Sequence, residues 1–425
     1  MNVLPMYEDL VAYISRETIA KNPELALKAE MLASITHWLH NGEINFSFKT
    51  DELVNFWQIC VLDFCCVRNV DFEQILSEIR FYPDANDFTF IDLFAGIGGF
   101  NLALQRNGGR CVFSSEWDKS AKTTYFKNYG KMPFGDINQF TGEGVSEDEL
   151  DHLIPTHDIL AGGFPCQPFS HAGVSARTAL GLAHGFECGT QGNLFHSIAK
   201  IAYVKQPKVV FMENVRNLVS HNHGETYEVI KNTMTTLGDD NPDKHSYVFF
   251  DALINSQTVV AQRRVRCFMV CIREDIWNDG GQRDFIFPDF GGDPIPLGTV
   301  TMMTTAEEAA EYTISDRLWQ GHINRTQRNL ERNTGFTAHE ANLTRPSNTI
   351  VARYGKDGKE CLIPQEGQNP RKLTRDECRQ LFGYPDNFWM PEAKTPTYKQ
   401  FGNSVVVPVV EIISRSIVEY LSDKK

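Results

Sequence analysis

The sequence predicts an α/β fold: a mostly parallel sheet with helices on both faces. Three observations point there. Six short apolar runs rich in Val, Ile and Phe recur between residues 88 and 272, helix-length segments separate most of them, and the alternation stops near residue 275. Strands buried on both faces read as continuous apolar runs, and the intervening helices supply the crossovers that parallel pairing needs.

Residues 1–87 come first and read as mostly helical. Apolar residues fall at helical spacing in LALKAEMLASITHWLH and ELVNFWQICVLDFCCV, and FYPDAND breaks the pattern. The predicted strands follow: FTFIDL (88–93), RCVFSSE (110–116), HDILAG (157–162), KVVFME (208–213), YVFFDAL (247–253) and RCFMVCI (266–272). Between them lie helical segments such as GGFNLALQR, DKSAKTTYFKNYG and GNLFHSIAKIAYV. From about 275 to 370 the chain is irregular and rich in Gly, Pro, Thr, Arg and Asn; RKLTRDECRQLFGYP and FGNSVVVPVVEIISRSIVEYL then read as helical again. The expected organisation is a helical extension (1–87), a large α/β domain (88–275), a smaller irregular domain (276–370) and a segment returning to the α/β domain (371–425).

With 425 residues, 42% hydrophobic and 22% charged, the composition is that of a globular chain large enough for more than one domain. No apolar run approaches the roughly 18 residues that span a bilayer. MNVLPMYEDL lacks the basic and apolar regions of a signal peptide, so the expected compartment is the cytoplasm and no membrane partner is expected. Ten cysteines contain no C-x-x-C pair, so free thiols are expected and no metal site. The net charge of −13 argues against simple adhesion to nucleic acid. It is unevenly spread, however. Met1–Asp87 holds six Lys/Arg against fourteen Asp/Glu, whereas Arg317–Arg375 holds eleven against five. The late basic segment suits a phosphate-facing surface or an ordinary solvated face.

The run IDLFAGIGGF follows a predicted strand and opens a helix. Gly96, Gly98 and Gly99 permit a tight turn and close approach of a ligand. Glu116 ends the next strand, 18 residues after Gly98, a position suited to ribose hydroxyls. Asp136 is placed to accept from an adenine amine, and Trp117 to pack on the ring. The pattern is not G-x-G-x-x-G, and no Lys or Arg stands beside it, so a nucleoside cofactor without pyrophosphate, such as S-adenosylmethionine, fits better than NAD. Taken alone, the turn is equally compatible with a structural role.

GGFPCQPFS (162–170) places Cys166 just past a strand end, stiffened by Pro165 and Pro168. MENVRNL places Glu213 and Asn214 on the same predicted sheet edge, and QRRVR places Arg264 and Arg266 on alternate strand positions, hence on one face. Separately, Glu213 reads as a cap or ion-pair partner, and the arginines as surface ion pairs. Together they suit one reaction. A thiolate adds to carbon 6 of cytosine, a buried protonated carboxyl protonates nitrogen 3, an Arg holds the carbonyl oxygen, and carbon 5 takes a methyl group. The target lies inside a duplex, so the base must be flipped out.

These segments resemble the bacterial DNA (cytosine-5) methyltransferase family, in order and spacing, over about residues 88–421. FIDLFAGIGGF resembles its first cofactor motif, GFPCQPFS its catalytic loop, MENVRNL its Glu-Asn-Val motif, QRRVR its Gln-x-Arg-x-Arg motif, and RKLTRDEC and QFGNSVVVPV its last two. The resemblance implies a Rossmann-like class I S-adenosylmethionine-dependent methyltransferase fold, with a target-recognition domain between QRRVR and RKLTRDEC. It implies Cys166 as nucleophile, Glu213 as acid, Arg264 and Arg266 as positioners of base and loop, and Gln167 and Ser170 in a loop closing over the base. Phe94, Ala95, Gly96, Gly98, Gly99, Glu116, Trp117, Asp136, Ile137 and Asn403 would line the cofactor site. AGVSARTALGLAHGFECGTQGNLF (172–195) and ARYGKDGKECLI (352–363) resemble the Dcm branch. That makes double-stranded DNA with a CC-N-GG-type site the expected substrate, with Arg353 and Lys356 as candidate contacts. A companion restriction endonuclease is left open. Residues 1–87 match no family motif; their acidity disfavours a DNA-binding regulator, leaving a packing arm or a protein-partner surface. Two alternatives stay open: an RNA (cytosine-5) methyltransferase and a catalytically inactive DNA-binding regulator.

Overall fold

The computed structural model describes residues 5–165, 194–302, 304–333 and 337–422. Cys166, Gln167 and Ser170 lie outside the described residues. The sheet comprises β1 (Phe88–Leu93), β2 (Gly109–Ser115), β3 (Ile159–Gly163), β4 (Val209–Val215), β5 (Tyr247–Asn255) and β6 (Val265–Arg273), in the order β2-β1-β3-β4-β6-β5. β1 runs parallel to β2 and β3, and β3 runs parallel to β4. Every residue of β4 but the last is buried, and so are the last four of β1. This two-sided burial is why the runs carry so few polar residues.

The chain steps from β1 outward to β2 and returns to the other side of β1 as β3. Such a reversal opens a crevice beyond the carboxyl ends of the strands. Leu93 pairs with both Ser115 and Gly162, and Gly163 pairs with Glu213. The glycine turn, Glu116, the segment leading to Cys166, and Glu213 therefore share one sheet edge. The core beneath it gathers Ile91, Leu93, Phe113, Leu160, Ile198, Val210 and Met212.

Two compact units emerge. One holds Met1–Ala252, Cys267–Phe287 and Ser414–Lys425; the other holds Leu253–Arg266 and Pro288–Ile413. This division departs from the expected boundaries. Residues 371–413 belong to the second unit, and only Ser414–Lys425 to the first. The reason lies in the RKLTRDEC segment, which is bound into the second unit. Thr304 Oγ1 donates to Glu377 Oε1 at 2.6 Å and the Leu373 N–H donates to Tyr354 Oη at 2.8 Å, while within the segment Arg371 donates to both oxygens of the same Glu377 carboxylate at 2.7 Å.

The N-terminal extension is helical and groups with the sheet. It contains α1 (Pro5–Lys21), α2 (Met31–Asn41), α3 (Asp51–Arg68) and α4 (Phe72–Leu76). Thr50 caps α3 by accepting from the Leu53 N–H, and Asn69 ends it in the left-handed conformation. Leu10, Ile14, Trp38, Trp57 and Phe64 form its core, which Phe126 completes. Trp57 is fully buried, stacks on Phe46 at 5.2 Å, and donates from Nε1 to Thr18 Oγ1 at 2.9 Å. The sheet's crossover helices include α5 (Gly99–Arg106) and α6 (Lys119–Tyr129). Asp118 caps α6 by accepting from the Ser120 and Ala121 N–H groups, both at 3.0 Å. Among the described residues no helix is long and apolar enough to cross a membrane.

Candidate active site

The cofactor half is built where β1 turns into α5. Phe94 and Gly96 both have φ of +55° and Gly98 has +84°. Such a backbone is strained for a phenylalanine, and strain of this kind gathers at functional turns. Gly98 has a packing reason to be glycine: a Cβ there would lie 2.2 Å from the Tyr129 ring, whose hydroxyl donates to the Gly98 carbonyl at 2.7 Å. At Gly96 a Cβ would meet nothing closer than the Phe94 carbonyl at 4.0 Å, so this is the glycine that leaves open space. Gly99 begins α5, and the Ala95 N–H ties the turn to β2 by donating to Ser115 O at 2.9 Å.

Glu116 holds the turn from the other side. Its Oε2 accepts from the Gly96 N–H at 2.8 Å, and its Oε1 accepts from the Asp118 N–H at 2.7 Å. Burial pushes this carboxyl upward, and the two N–H donors pull it back. Each carboxylate oxygen accepts more than one hydrogen bond, so capacity remains for hydroxyl donors. Trp117, next in the chain, is 80% exposed. Asp136 Oδ1 accepts from the Asn138 N–H at 3.0 Å and its side-chain amide at 2.9 Å, and Ile137 is buried behind it. A carboxylate pinned at a glycine turn, an exposed indole and a second carboxylate fit a nucleoside. Asn403 ends the helix Lys394–Asn403 in the second unit and is exposed.

The catalytic half is built on β3 and β4. Glu213 is 8% exposed, and a Cβ on its strand partner Gly163 would sit 3.5 Å from Oε2. Asn214 is buried and aims back at the neighbouring chain. Its Nδ2 donates to Phe164 O at 2.9 Å, and its Oδ1 accepts from the Val215 N–H at 2.8 Å. Phe164 lies two residues before Cys166. The eight described cysteines are free thiols. Burial pushes Cys60 and Cys111 up to about 11 and Cys267 up to about 12, with Asp251 and Glu213 adding to the last. Buried thiols of this kind are poor nucleophiles near neutral pH.

The two arginines part company. Arg264 immediately precedes β6 and Arg266 lies within it. Arg264 is buried and holds the second unit together. Its guanidinium donates to the carbonyls of Ile350 (2.9 Å), Gly402 (3.2 Å) and Ser404 (2.8 Å) and packs over Phe382 at 5.2 Å. Arg266 is half-buried and donates to Val265 O at 2.9 Å. Arg353 and Lys356 are exposed, around the short helix Tyr354–Asp357, and Arg353 Nε lies 3.8 Å from Glu360.

Sequence reasoning missed Tyr129, for which no motif gave a signal. It also passed over Asp118, whose cap position after Trp117 was legible. Asp92 was read only as part of a strand; it is fully buried, and burial drives its carboxyl well above the usual range.

The parallel β2-β1-β3-β4 core, the strained glycine turn and the acidic end of β2 fit a Rossmann-like methyltransferase. Residues 88–419 match the model of the C-5 cytosine-specific DNA methylase family, and the chain belongs to that family. Among similar proteins is the type II methyltransferase M.SsoII of Shigella sonnei, 41% identical over 348 residues, covering 80% of this chain and 83% of the relative. Another is the DNA-cytosine methyltransferase of Escherichia coli strain K12, 36% identical over 366 residues and covering 77% of each. The fold is shared with the S. pombe Dnmt2 methyltransferase, with a TM-score of 0.53 at 14% identity, covering 79% of this chain and 98% of that one. The protein is a DNA cytosine-5 methyltransferase, and these relatives favour DNA over the RNA alternative.

Proposed function

We propose that the enzyme takes its methyl group from S-adenosylmethionine and transfers it to a flipped cytosine held covalently by Cys166. The observation that carries this reading is the pairing of Gly163 with Glu213 at the carboxyl edge of the sheet, with Asn214 gripping Phe164 alongside. Cys166 follows Gly163 by three residues, a reach of at most about 11 Å along the chain. That short reach supports a nucleophile within range of the buried carboxyl.

In this reading the Cys166 thiolate bonds to carbon 6 while Glu213 delivers a proton to nitrogen 3. The electron pair displaced from the carbon 5–carbon 6 bond comes to rest at carbon 5. S-adenosylmethionine, when bound, supplies an electrophilic methyl group. Loss of the carbon 5 proton then restores the ring double bond and expels the sulfur, and Glu213 takes back the proton from nitrogen 3. Glu116 accepts from the ribose hydroxyls, Trp117 packs on the adenine and Asp136 accepts from its amine. Arg266 holds the base's carbonyl oxygen, a role supported by its motif, and Arg264 keeps the recognition unit folded. By their motifs, Asn403 is assigned to the cofactor, and Gln167 and Ser170 to the loop over the base.

The target is proposed to be a CC-N-GG-type site, with exposed Arg353 and Lys356 contacting bases or phosphates. The type II name of the Shigella relative supports pairing with a companion restriction endonuclease. Methylation-sensitive sequencing of DNA from cells expressing the protein tests the reading. It predicts 5-methylcytosine within one such motif, lost with Cys166→Ser; unmodified DNA, or methylation spread without a motif, contradicts it.

A further inference from the structure

β2 is an outer strand, and an outer strand leaves a row of N–H and C=O groups unpaired by the sheet. Side chains of the N-terminal extension cover that row. Asn41, the last residue of α2, donates from Nδ2 to Val112 O at 3.2 Å. One turn earlier, His37 Nε2 accepts from the Ser114 N–H at 3.2 Å and lies 3.3 Å from Ser114 Oγ. Next to these, Lys131 donates to Cys111 O, and the Phe134 N–H donates to Ser114 O at 2.8 Å.

His37 is fixed in protonation as well as position. Its Nδ1 lies 2.9 Å from Ala33 O, which only accepts, so Nδ1 carries the proton and Nε2 is the acceptor. The ring is 1% exposed and packs on Phe134 at 4.8 Å. Burial and nearby Lys131 push its pKa down to about 3, which keeps the acceptor available. Ser114 stands two residues before Glu116, and Ser115 between them receives the Ala95 N–H of the glycine turn. A continuous path of contacts therefore runs from α2 through His37 and the end of β2 to the carboxylate that grips Gly96.

We propose that the N-terminal helical arm is a working part of the cofactor site, and that His37 is its positioning residue, setting the end of β2 and thereby the Glu116 carboxylate. This rests on the reading of Glu116 as the S-adenosylmethionine ribose acceptor. The arm touches no cofactor atom; it fixes the residue that does.

The test uses the full-length protein, calorimetric titration with S-adenosylmethionine and steady-state methyl transfer to duplex DNA. His37→Leu removes the acceptor and leaves the Ser114 N–H without a partner. S-adenosylmethionine should bind roughly five- to tenfold more weakly. Its KM should rise in step, while kcat at saturation and KM for DNA stay within about twofold of wild type. His37→Gln, which offers an amide oxygen near the place of Nε2, should recover most of the loss. Tyr7→Phe is the control for mere loosening: it removes the arm's 2.6 Å hydrogen bond to Gly130 O, away from the strand end. It should lower Tm without changing affinity. If His37→Leu fails to fold, Asn41→Ala tests the same edge, with about a two- to threefold weakening expected. The proposal is overturned if folded His37→Leu binds like wild type while Glu116→Ala loses binding, or if affinity simply tracks Tm across His37→Leu and Tyr7→Phe. Should Asn41→Ala have to stand in, wild-type affinity there overturns it as well. If Glu116→Ala itself binds like wild type, the fault lies in the reading of Glu116, and the proposal falls with it.

Discussion

The side-chain amide of Asn214 donates a 2.9 Å hydrogen bond to the carbonyl of Phe164, joining β4 to the segment that leads into Cys166. Both partners are buried. Asn214→Ala leaves that carbonyl without its partner, a penalty of about 1–3 kcal/mol. If it falls on the placement of the nucleophile, kcat drops roughly ten- to a hundredfold. The affinity for S-adenosylmethionine, measured by titration, should stay unchanged. Equal losses in kcat and in cofactor affinity would show that Asn214 supports the sheet edge as a whole.

Glu116 gives the cofactor site a pH dependence. Burial raises its carboxyl above the ordinary value. The charged form accepts hydroxyl hydrogen bonds, and protonation spoils one of its oxygens as an acceptor. Affinity for S-adenosylmethionine should therefore be full at neutral pH and fall as pH drops through the raised pKa. Glu116→Gln should bind weakly and with a flat profile. A wild-type profile as flat as that of Glu116→Gln across the acid range would count against Glu116 as the ribose acceptor.

Arg264 and Arg266 should separate cleanly. Arg264→Met strands three carbonyls inside the second unit, and the expected cost is about 3–5 kcal/mol, read as a lower urea midpoint. Arg266→Met should lower the midpoint by clearly less than Arg264→Met does, while activity falls at least tenfold. A stable but inactive Arg264→Met would reverse the two roles.

Buried neutral histidines should make the fold acid-sensitive. His37 is held at about 3 and His157 at about 4, both mainly by burial, against an ordinary value of 6.5. The unfolded chain takes up a proton at each below pH 6.5, whereas the folded chain refuses it until about pH 3 and 4. Stability is thus complete above 6.5 and declines as pH falls. Between pH 7.5 and 5 each histidine should contribute a loss of about 2 kcal/mol. Urea unfolding at both pH values checks this, and His37→Gln should shrink the loss by about 2 kcal/mol. An unchanged slope in that variant would mean that His37 does not titrate on unfolding.

The strand runs, the glycine turn and the place of Glu213 at the carboxyl edge of the sheet were legible because each depends on local chemistry. Apolar runs mark two-sided burial, and a strand-to-helix turn needs small residues. What escaped depends on tertiary contact. Nothing local distinguishes Arg264 from Arg266 in QRRVR, yet one is spent on three distant carbonyls. Gly98 looked like room for a ligand and proves to be room for Tyr129, which lies 31 residues further along the chain. His37 looked like one more residue in an amphipathic helix, and its partner is 77 residues away. The grouping of residues 371–413 with the second unit was not legible because the RKLTRDEC helix reads the same whichever unit receives it; the hydrogen bonds from Thr304 to Glu377 and from Leu373 to Tyr354 decide.

Covalent capture tests the catalytic proposal most directly. Duplex DNA carrying 5-fluorocytosine at the methylated position blocks loss of the carbon 5 substituent, so the sulfur cannot leave. With S-adenosylmethionine present, wild type should form a denaturant-resistant complex, and peptide mass spectrometry should place the attached base on Cys166. Glu213→Gln should form it far more slowly, and Cys166→Ser not at all. Capture at another cysteine, or the absence of capture by a wild-type enzyme that methylates the unmodified duplex, would contradict the account.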